Sequence, residues 1–353
     1  MKKLLLASAL LMAGVHVASA QNLKKAEEGT SYYLPRTEMR FTVQVEKTSY
    51  TPGEFAVYAE KYMKLQNVKM QPAVSYRIIN IKVNTVGERD TAKYYMAPTD
   101  GKHNIQKLQL DDNGVLLAIN ATPKEVSRPK PFVPAAKPKA LNPHDYMNED
   151  ILSAGSSAKM AELSAVEIYD IRDSKSALSK GQADFMPKDG EQLKLMLGNL
   201  DTQERALMQL FSGVTTKDTT ETVISFVPVK EVNKQLLFRF SKWMGMTDAD
   251  DLGGSPYYVS VADKHLTPSI QDYMLTTKKP KDNSGIYVNL PGKIAVTLFA
   301  GNKQQATYEL YAAQFGKTEQ LNDELFGRKF DTQLVLNPVT GSAELLKADI
   351  IKK

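Results

Sequence analysis

Six of the 17 prolines in this 353-residue chain fall between positions 123 and 143. Proline removes a backbone hydrogen-bond donor and restricts the residue before it to extended conformations, so this segment is expected to form neither a helix nor a central strand. The segment also carries five basic residues against one acidic residue. We therefore predict a solvated, extended linker at 123–145 that separates two domains, 21–122 and 146–353. The alternatives are a tether to an anionic surface such as lipopolysaccharide and a recognition motif.

The N-terminus has the organisation of a secretory signal peptide. Two lysines precede a mostly apolar run, Leu4 to Val17, which is followed by the small residues Ala18-Ser19-Ala20. This pattern predicts a signal peptide at 1–20 and a mature chain that starts at Gln21. No other stretch approaches 18 uninterrupted apolar residues, so no transmembrane segment is expected after cleavage.

The segment 21–122 is predicted to be mostly strand. Apolar and polar residues alternate in 40–46 and in 74–83, as in half-buried strands. Asn113-Gly114 lies between two apolar runs and predicts a β-hairpin. The exception is 52–63, where apolar residues recur at helical spacing and predict one amphipathic helix packed on the sheet.

The segment 146–353 combines predicted helices and strands. Helical periodicity covers 158–180 and 189–213, and the second stretch is predicted as one helix or as two helices that meet at Asp201. Short strands with turn signals between them cover 222–348. We interpret Pro291-Gly292 as a turn between two of these strands. The chain is thus predicted to be α+β and β-rich, with antiparallel sheets arranged as a sandwich or barrel and a few packed amphipathic helices.

The residue types that common catalytic and metal sites require are scarce. The chain has no Cys, and the three histidines that remain after export, His103, His144 and His265, are isolated in the sequence. Spacings typical of zinc sites are absent, as are a Gly-x-Ser-x-Gly elbow and a phosphate- or dinucleotide-binding fingerprint. We therefore predict no catalytic, metal-binding or cofactor-binding residue and expect a protein that is not an enzyme. Outside the Pro-rich segment the mature chain has a net charge near −1, which argues against nucleic acid as a partner.

A cluster of acidic residues, Asp248, Asp250 and Asp251, precedes two glycines. Clustered carboxylates can bind calcium or act as acid and base in glycoside hydrolysis, so these three residues are candidate site residues. The twelfth position counted from Asp248 is Val259, where an EF-hand requires Glu. We therefore expect an exposed turn between strands in which the three carboxylates do not converge.

Tyrosine pairs are a second candidate feature, and they begin at Tyr32, Tyr94 and Tyr257. Neighbouring side chains of a strand point to opposite faces, so one ring of each pair could be exposed. Exposed rings stack on sugars or pack against a protein partner, which makes Tyr32, Tyr94 and Tyr257 candidate contact residues. The preference of tyrosine for strands explains the same pattern without any function.

Several short runs of residues resemble an uncharacterised family of exported proteins from Bacteroidetes, catalogued as a domain of unknown function. The runs are spread over nearly all of the mature chain: Tyr33-Leu34-Pro35, Pro52-Gly53, Tyr58 to Tyr62, Ile168 to Arg172, Leu178 with Gly181, Pro187 to Gly190, Leu210 to Gly213, Phe238 to Ser241 and Asp248 to Leu252. A Gln directly after the predicted cleavage site is also usual in exported proteins of that phylum. The resemblance implies a Gram-negative periplasmic or outer-membrane-associated location, and it carries no activity or catalytic residue with it.

The sequence therefore predicts a non-enzymatic envelope protein that binds other envelope components. The alternative is a periplasmic protein that binds or hydrolyses glycans with the acidic loop and the exposed tyrosines. A pair of carboxylates that converge in a cleft beside aromatic rings would favour the alternative. A shallow surface with an apolar patch would favour the first hypothesis.

Overall fold

A computed structural model describes residues 29–125, 130–270, 274–275 and 284–351. The predicted signal peptide at 1–20 lies outside the described residues. The strands are β1 (Gly29–Thr51), β2 (Ala73–Pro98), β3 (Leu108–Leu110), β4 (Leu116–Ile119), β5 (Val214–Phe226), β6 (Val232–Ser241), β7 (Gly245–Thr247), β8 (Ser255–Leu266), β9 (Tyr287–Ala300), β10 (Lys303–Gln320), β11 (Phe330–Leu336) and β12 (Ala343–Ile350). The helices are α1 (Ala59–Met63), α2 (Glu149–Leu152), α3 (Ser157–Lys180) and α4 (Gly190–Ser212), with 3-10 turns at Ala56–Tyr58, Pro143–Tyr146 and Asp323–Phe326.

The described strands form three antiparallel sheets. Their strand orders are β2-β1-β5, β10-β9-β8-β6-β7 and β12-β11-β4-β3. Helices α3 and α4 are the two long helices of the described chain. The protein is therefore α+β and rich in strands, with a curled antiparallel sheet among the three, and this confirms the predicted fold class.

The ribbon of β1 and β2 connects three hydrophobic clusters of the described residues. Tyr32 at the start of β1 packs with residues of β4, β9 and β11. Phe41 packs with residues of β8, β9 and β10, and Val45 packs against Phe238 of β6. Because one strand contributes to all three clusters, β1 fixes the positions of the three sheets relative to one another.

The helices pack together beyond the C-terminal end of β1. Phe55, Ile168 and Leu207 belong to one buried cluster that joins α1, α3 and α4. The backbone N–H of Phe55 donates to the Leu210 carbonyl oxygen at 2.7 Å. A Cβ at Gly53 would lie 2.2 Å from the same oxygen, so this approach of the chain to α4 requires glycine.

Local signals fix the ends of the two long helices. Helix α3 begins where the Ser156 hydroxyl accepts a hydrogen bond from the Lys159 N–H at 3.3 Å, and it ends at Gly181, whose φ is +69°. Helix α4 begins where the Asp189 carboxylate accepts from the Gln192 N–H at 2.8 Å. The helix continues through Asp201, so the region predicted as one helix or two is one helix.

Two local predictions need correction. The single amphipathic helix predicted over 52–63 is a 3-10 turn followed by the five-residue α1, which ends because Lys64 adopts a left-handed conformation with φ +57°. Pro291-Gly292 is not a turn but lies inside β9. Residues 313–316 of β10 bulge opposite Pro291, so the missing proline N–H does not interrupt a regular ladder.

The Pro-rich segment contains no helix or strand in its described part before the turn at Pro143. Strands on both sides of this segment pair with each other, β1 with β5 and β4 with β11. Lys137 in the segment also forms an ion pair with Asp218 of β5. The predicted division into 21–122 and 146–353 therefore does not correspond to separate sheets.

Candidate functional site

The three candidate tyrosines lie in different environments. Tyr32 is fully buried, so the prediction that it is an exposed contact residue is wrong. Its hydroxyl donates to the Gly285 carbonyl oxygen at 2.9 Å and accepts from the Tyr287 N–H at 2.8 Å. The ring faces the core because neighbouring side chains at the start of β1 alternate between core and surface, and Tyr33 takes the outer position.

Tyr94 and Tyr257 are accessible but do not form one surface. Tyr94 is 39% exposed and packs against Tyr33, with 5.1 Å between the ring centroids. Tyr257 is half-buried and stacks on Phe238, in the cluster that contains Val43. The strand from Tyr33 to Val43 is roughly 33 Å long at about 3.3 Å per residue, so the two tyrosines cannot contact one small ligand.

The three acidic candidates lie in an exposed loop between β7 and β8. The Asp251 N–H donates to the Asp248 carbonyl oxygen at 3.1 Å, and the Asp251 carboxylate accepts from the Gly253 N–H at 2.8 Å. Arg239 holds both ends of the loop, because it donates to the Ala249 carbonyl oxygen at 2.6 Å and to the Gly254 carbonyl oxygen at 3.0 Å. The loop therefore has a defined conformation with Asp248, Asp250 and Asp251 facing solvent.

Groups of metal-ligating side chains are absent from the part of the chain that the structure describes. No three His, Asp or Glu residues there come together in a way that could hold a metal ion. His144 lies 3.1 Å from a Glu54 carboxylate oxygen, and His265 lies 3.3 Å from a carboxylate oxygen of Asp263. These histidines lie in separate parts of the fold, as their isolation in the sequence suggests.

A pair of carboxylates does converge in an open groove of about 820 Å³ on α3 and α4. Asp201 and Glu204 both form ion pairs with Lys175, and Glu204 also accepts from the Arg172 guanidinium at 2.7 Å. Burial acts to raise the pKa of the Glu204 carboxyl, but the hydrogen bonds from Lys175 and Arg172 outweigh it and the pKa is lowered. A general acid for glycoside hydrolysis needs a raised pKa, so the lowered pKa of Glu204 does not suit that role.

The hairpin of β6 and β7 exposes an apolar tip that is not among the site residues predicted from the sequence. Its three-residue turn is Lys242-Trp243-Met244, and it is followed by Gly245, whose φ of +81° the turn requires. Trp243, the single tryptophan of the chain, is 67% exposed, and Met244 is 51% exposed. The Lys242 ammonium lies 5.0 Å from the centre of the Trp243 ring, within the range of a cation–π interaction.

The hairpin tip and the acidic loop form one continuous surface. The terminal methyl of Met244 lies 2.9 Å from the position that a Cβ at Gly253 would occupy, so the tip packs closely on the loop. Leu252 of the same loop is 83% exposed. We call Trp243, Met244 and Leu252, together with the bordering Asp248, Asp250 and Asp251, the Trp243 surface. Single exposed apolar residues are common, whereas three on adjoining turns form a candidate interaction patch.

The base of the hairpin is attached to the central ribbon. The Tyr76 N–H of β2 donates to the Lys242 carbonyl oxygen at 2.7 Å, and the Tyr76 ring lies over Gly245. The tip is therefore held in place by β2 as well as by its own strand pairing. A rigid support of this kind limits the conformational entropy that a binding surface loses when its partner docks.

The fold and this surface define a β-rich α+β protein that presents one apolar and acidic patch on two adjoining turns. The chain belongs to the family described as domain of unknown function DUF4831, which matches residues 28–344. This confirms the resemblance to a catalogued domain of unknown function. No curated protein and no solved structure matches the chain. In the described part of the chain, no helix is both long and apolar enough to span a membrane.

Proposed function

We propose that this protein is an exported, non-enzymatic binding protein of the Gram-negative periplasm or outer membrane, and that it contacts another envelope protein through the Trp243 surface. The observation that supports this proposal most directly is the exposure of Trp243, Met244 and Leu252 on two turns that pack against each other. The signal-like residues Ala18-Ser19-Ala20 and the resemblance to exported Bacteroidetes proteins support the location.

The chemistry of the surface indicates what its partner presents. Its centre is apolar, and its border carries the three carboxylates of Asp248, Asp250 and Asp251. A complementary partner has an apolar pocket with lysine or arginine side chains around it, because rim charges of opposite sign steer association and select the partner. Trp243 fits the role of the central anchor, since tryptophan is enriched among the residues that contribute most to interface affinity.

The test is a comparison of two alanine variants in a pull-down from native envelopes. Trp243→Ala removes the proposed anchor, and Phe185→Ala removes an aromatic ring of nearly the same exposure, 68%, from the connection between α3 and α4. We expect Trp243→Ala to weaken binding of the captured protein by about 2 kcal/mol, or roughly 30-fold, and Phe185→Ala to leave it unchanged. Capture that is the same for Trp243→Ala and the parent chain would contradict the proposal.

The single tryptophan also provides a direct readout with the purified partner. Burial of Trp243 on binding should shift its fluorescence emission to shorter wavelength, without any label on the protein. A glycan fraction that produces this shift when envelope proteins do not would instead support the glycan-binding alternative. If a captured protein produced no shift, that partner would bind the chain somewhere other than the Trp243 surface.

A further inference from the structure

A bulge of four residues in β2 changes the direction of one lysine side chain. In the pairing of β1 with β2, Tyr33 lies opposite Tyr94 and Pro35 lies opposite Arg89. Leu34 alone therefore faces the four residues 90–93, and the Asp90 carboxylate closes this bulge by accepting from the Ala92 N–H at 3.0 Å. Bulges of this kind occur next to functional sites, where they redirect side chains. Here the bulge brings Lys93 to β9.

The partner of Lys93 is a fully buried amide with a fixed orientation. The Asn289 side-chain nitrogen donates to the carbonyl oxygens of Pro35 at 3.0 Å and of Thr340 at 2.8 Å. Its side-chain oxygen therefore faces the other way and accepts from the Lys93 ammonium at 2.8 Å and from the Thr318 hydroxyl at 2.9 Å. Asn289 thus anchors one N–H of Lys93, and the described residues supply no hydrogen-bond acceptor for the other two N–H donors of the ammonium.

The Lys93 ammonium is partly buried, and its hydrogen-bond partner is a neutral amide. Within the described ranges, no carboxylate forms an ion pair with Lys93, although Asp90 of the same bulge acts on it from further away. Burial lowers the pKa of the Lys93 ammonium, and Asp90 opposes this effect. An ammonium that is partly removed from water is stabilised by an anion that reaches it.

Aromatic rings border the same place. Tyr95 is two residues after Lys93, on the same face of β2, and its ring stacks on Tyr287 with 4.0 Å between the centroids. Burial, and then the nearby Asp90 carboxylate, raise the pKa of the Tyr95 phenol, and a hydrogen bond with Thr318 opposes them, so the hydroxyl is protonated at neutral pH and already has one partner. The Lys93 ammonium and the Tyr95 hydroxyl are thus connected through Asn289 and Thr318, with the buried Tyr287 ring behind Tyr95.

We propose that Lys93 and Tyr95 bind a monovalent carboxylate that carries an apolar group. One carboxylate oxygen accepts from the Lys93 ammonium and the other from the Tyr95 hydroxyl, which exchanges Thr318 for the ligand, while the apolar group packs on the accessible part of the Tyr95 ring. A single cation matches a single negative charge, which favours a carboxylate over a phosphate. This site does not involve the Trp243 surface, so it stands or fails separately from the proposed function.

The test uses butyrate as the probe and the full mature chain as the protein. Lys93→Gln removes the charge, and Lys82→Gln removes the charge of an exposed lysine of the same strand as a matched control. We expect a saturable rise in melting temperature with butyrate, compared with chloride at equal ionic strength, for the parent chain and for Lys82→Gln. We expect at least tenfold weaker binding in Lys93→Gln and severalfold weaker binding in Tyr95→Phe.

A second measurement keeps the proposal testable if Lys93→Gln does not fold. In the parent chain with isotope-labelled lysine, butyrate should shift the Lys93 side-chain NMR signals saturably and raise the pKa of that ammonium, because the anion stabilises its charged form. Lys93 signals that do not respond at the highest soluble butyrate concentration would overturn the proposal. An equal rise in melting temperature with phosphate, or in Lys93→Gln, would overturn it as well.

Discussion

The hydroxyl of Tyr32 forms two buried hydrogen bonds to the backbone around the start of β9, at Gly285 and Tyr287. We predict that Tyr32→Phe lowers the free energy of unfolding by about 1–3 kcal/mol, because two buried backbone groups lose the partner that Tyr32 provides. Urea denaturation would measure the change. The matched variant Tyr33→Phe, at the outward-facing neighbour, should change stability by about 0.5 kcal/mol or less. Equal effects of the two substitutions would contradict this account of Tyr32.

The same residue predicts how stability depends on alkaline pH. Burial raises the pKa of the Tyr32 phenol well above its usual value of about 10. Above that pH the unfolded chain has released this proton while the folded chain still holds it, so the contribution is complete below about pH 10 and is lost as pH rises further. We expect the free energy of unfolding to fall less steeply between about pH 10 and 12 in Tyr32→Phe than in the parent chain. The remaining fall comes in part from Tyr95 and Tyr257, whose pKa values burial also raises.

At the scale of an element, the start of α4 depends on one side chain. The Asp189 carboxylate satisfies the Gln192 N–H, a donor that has no partner within the helix. Asp189→Ala should cost about 1 kcal/mol of stability, as measured by thermal or urea unfolding. The exposed Asp184, before this helix, provides the control, because Asp184→Ala should change stability by about 0.5 kcal/mol or less. A loss of the same size in both variants would mean that net charge and not capping is responsible.

Elements with local signals could be predicted from the sequence, and elements that depend on distant partners could not. The turn at Asn113-Gly114 and the helix stop at Gly213 follow from residues close to them in the chain. Pro291-Gly292 has the local signal of a turn, yet it lies inside β9 because a bulge of β10 passes opposite it. A bulge in a partner strand cannot be predicted from the sequence of the strand that it faces.

The candidate site shows the same limit. The exposed acidic turn at 248–251 has the expected local form, whereas its position beside Trp243 depends on Arg239 and on the pairing of β6 with β7. A lone tryptophan carries no periodicity, so its exposure is not readable from the chain. Lys93 reaches Asn289 only because β2 bulges opposite Leu34, and the two residues are far apart in sequence.

At the scale of the whole molecule, the shared sheets predict the behaviour of a nicked protein. The described residues from 130 to 142 are mostly exposed and have no regular structure, so a protease of broad specificity should cut there first, near Ala135 and Ala136. The two fragments should remain associated, because β1 pairs with β5 and β4 with β11 across the cut. Size-exclusion chromatography should therefore show one species after cleavage, with both fragments visible on a denaturing gel.

Two outcomes would contradict that prediction. Protection of 130–142 under conditions that cut elsewhere would mean that the segment is docked on the body of the protein, as its contact with Asp218 would then suggest. Separate elution of two folded fragments would support two independent domains in spite of the shared sheets. The control is the nicked protein transferred to urea after the protease is inhibited, because the strand pairs are then lost and the two fragments should separate.

The pairing of β4 with β11 also has a consequence for the order in which the protein is made. Ile119 lies opposite Leu334, so more than 200 residues must be synthesised after β4 before its partner strand exists. At about 5–20 residues per second, this takes roughly 10–40 s. During that time a growing chain carries β4 with one edge unpaired, and the third sheet closes only after nearly the whole chain has left the ribosome.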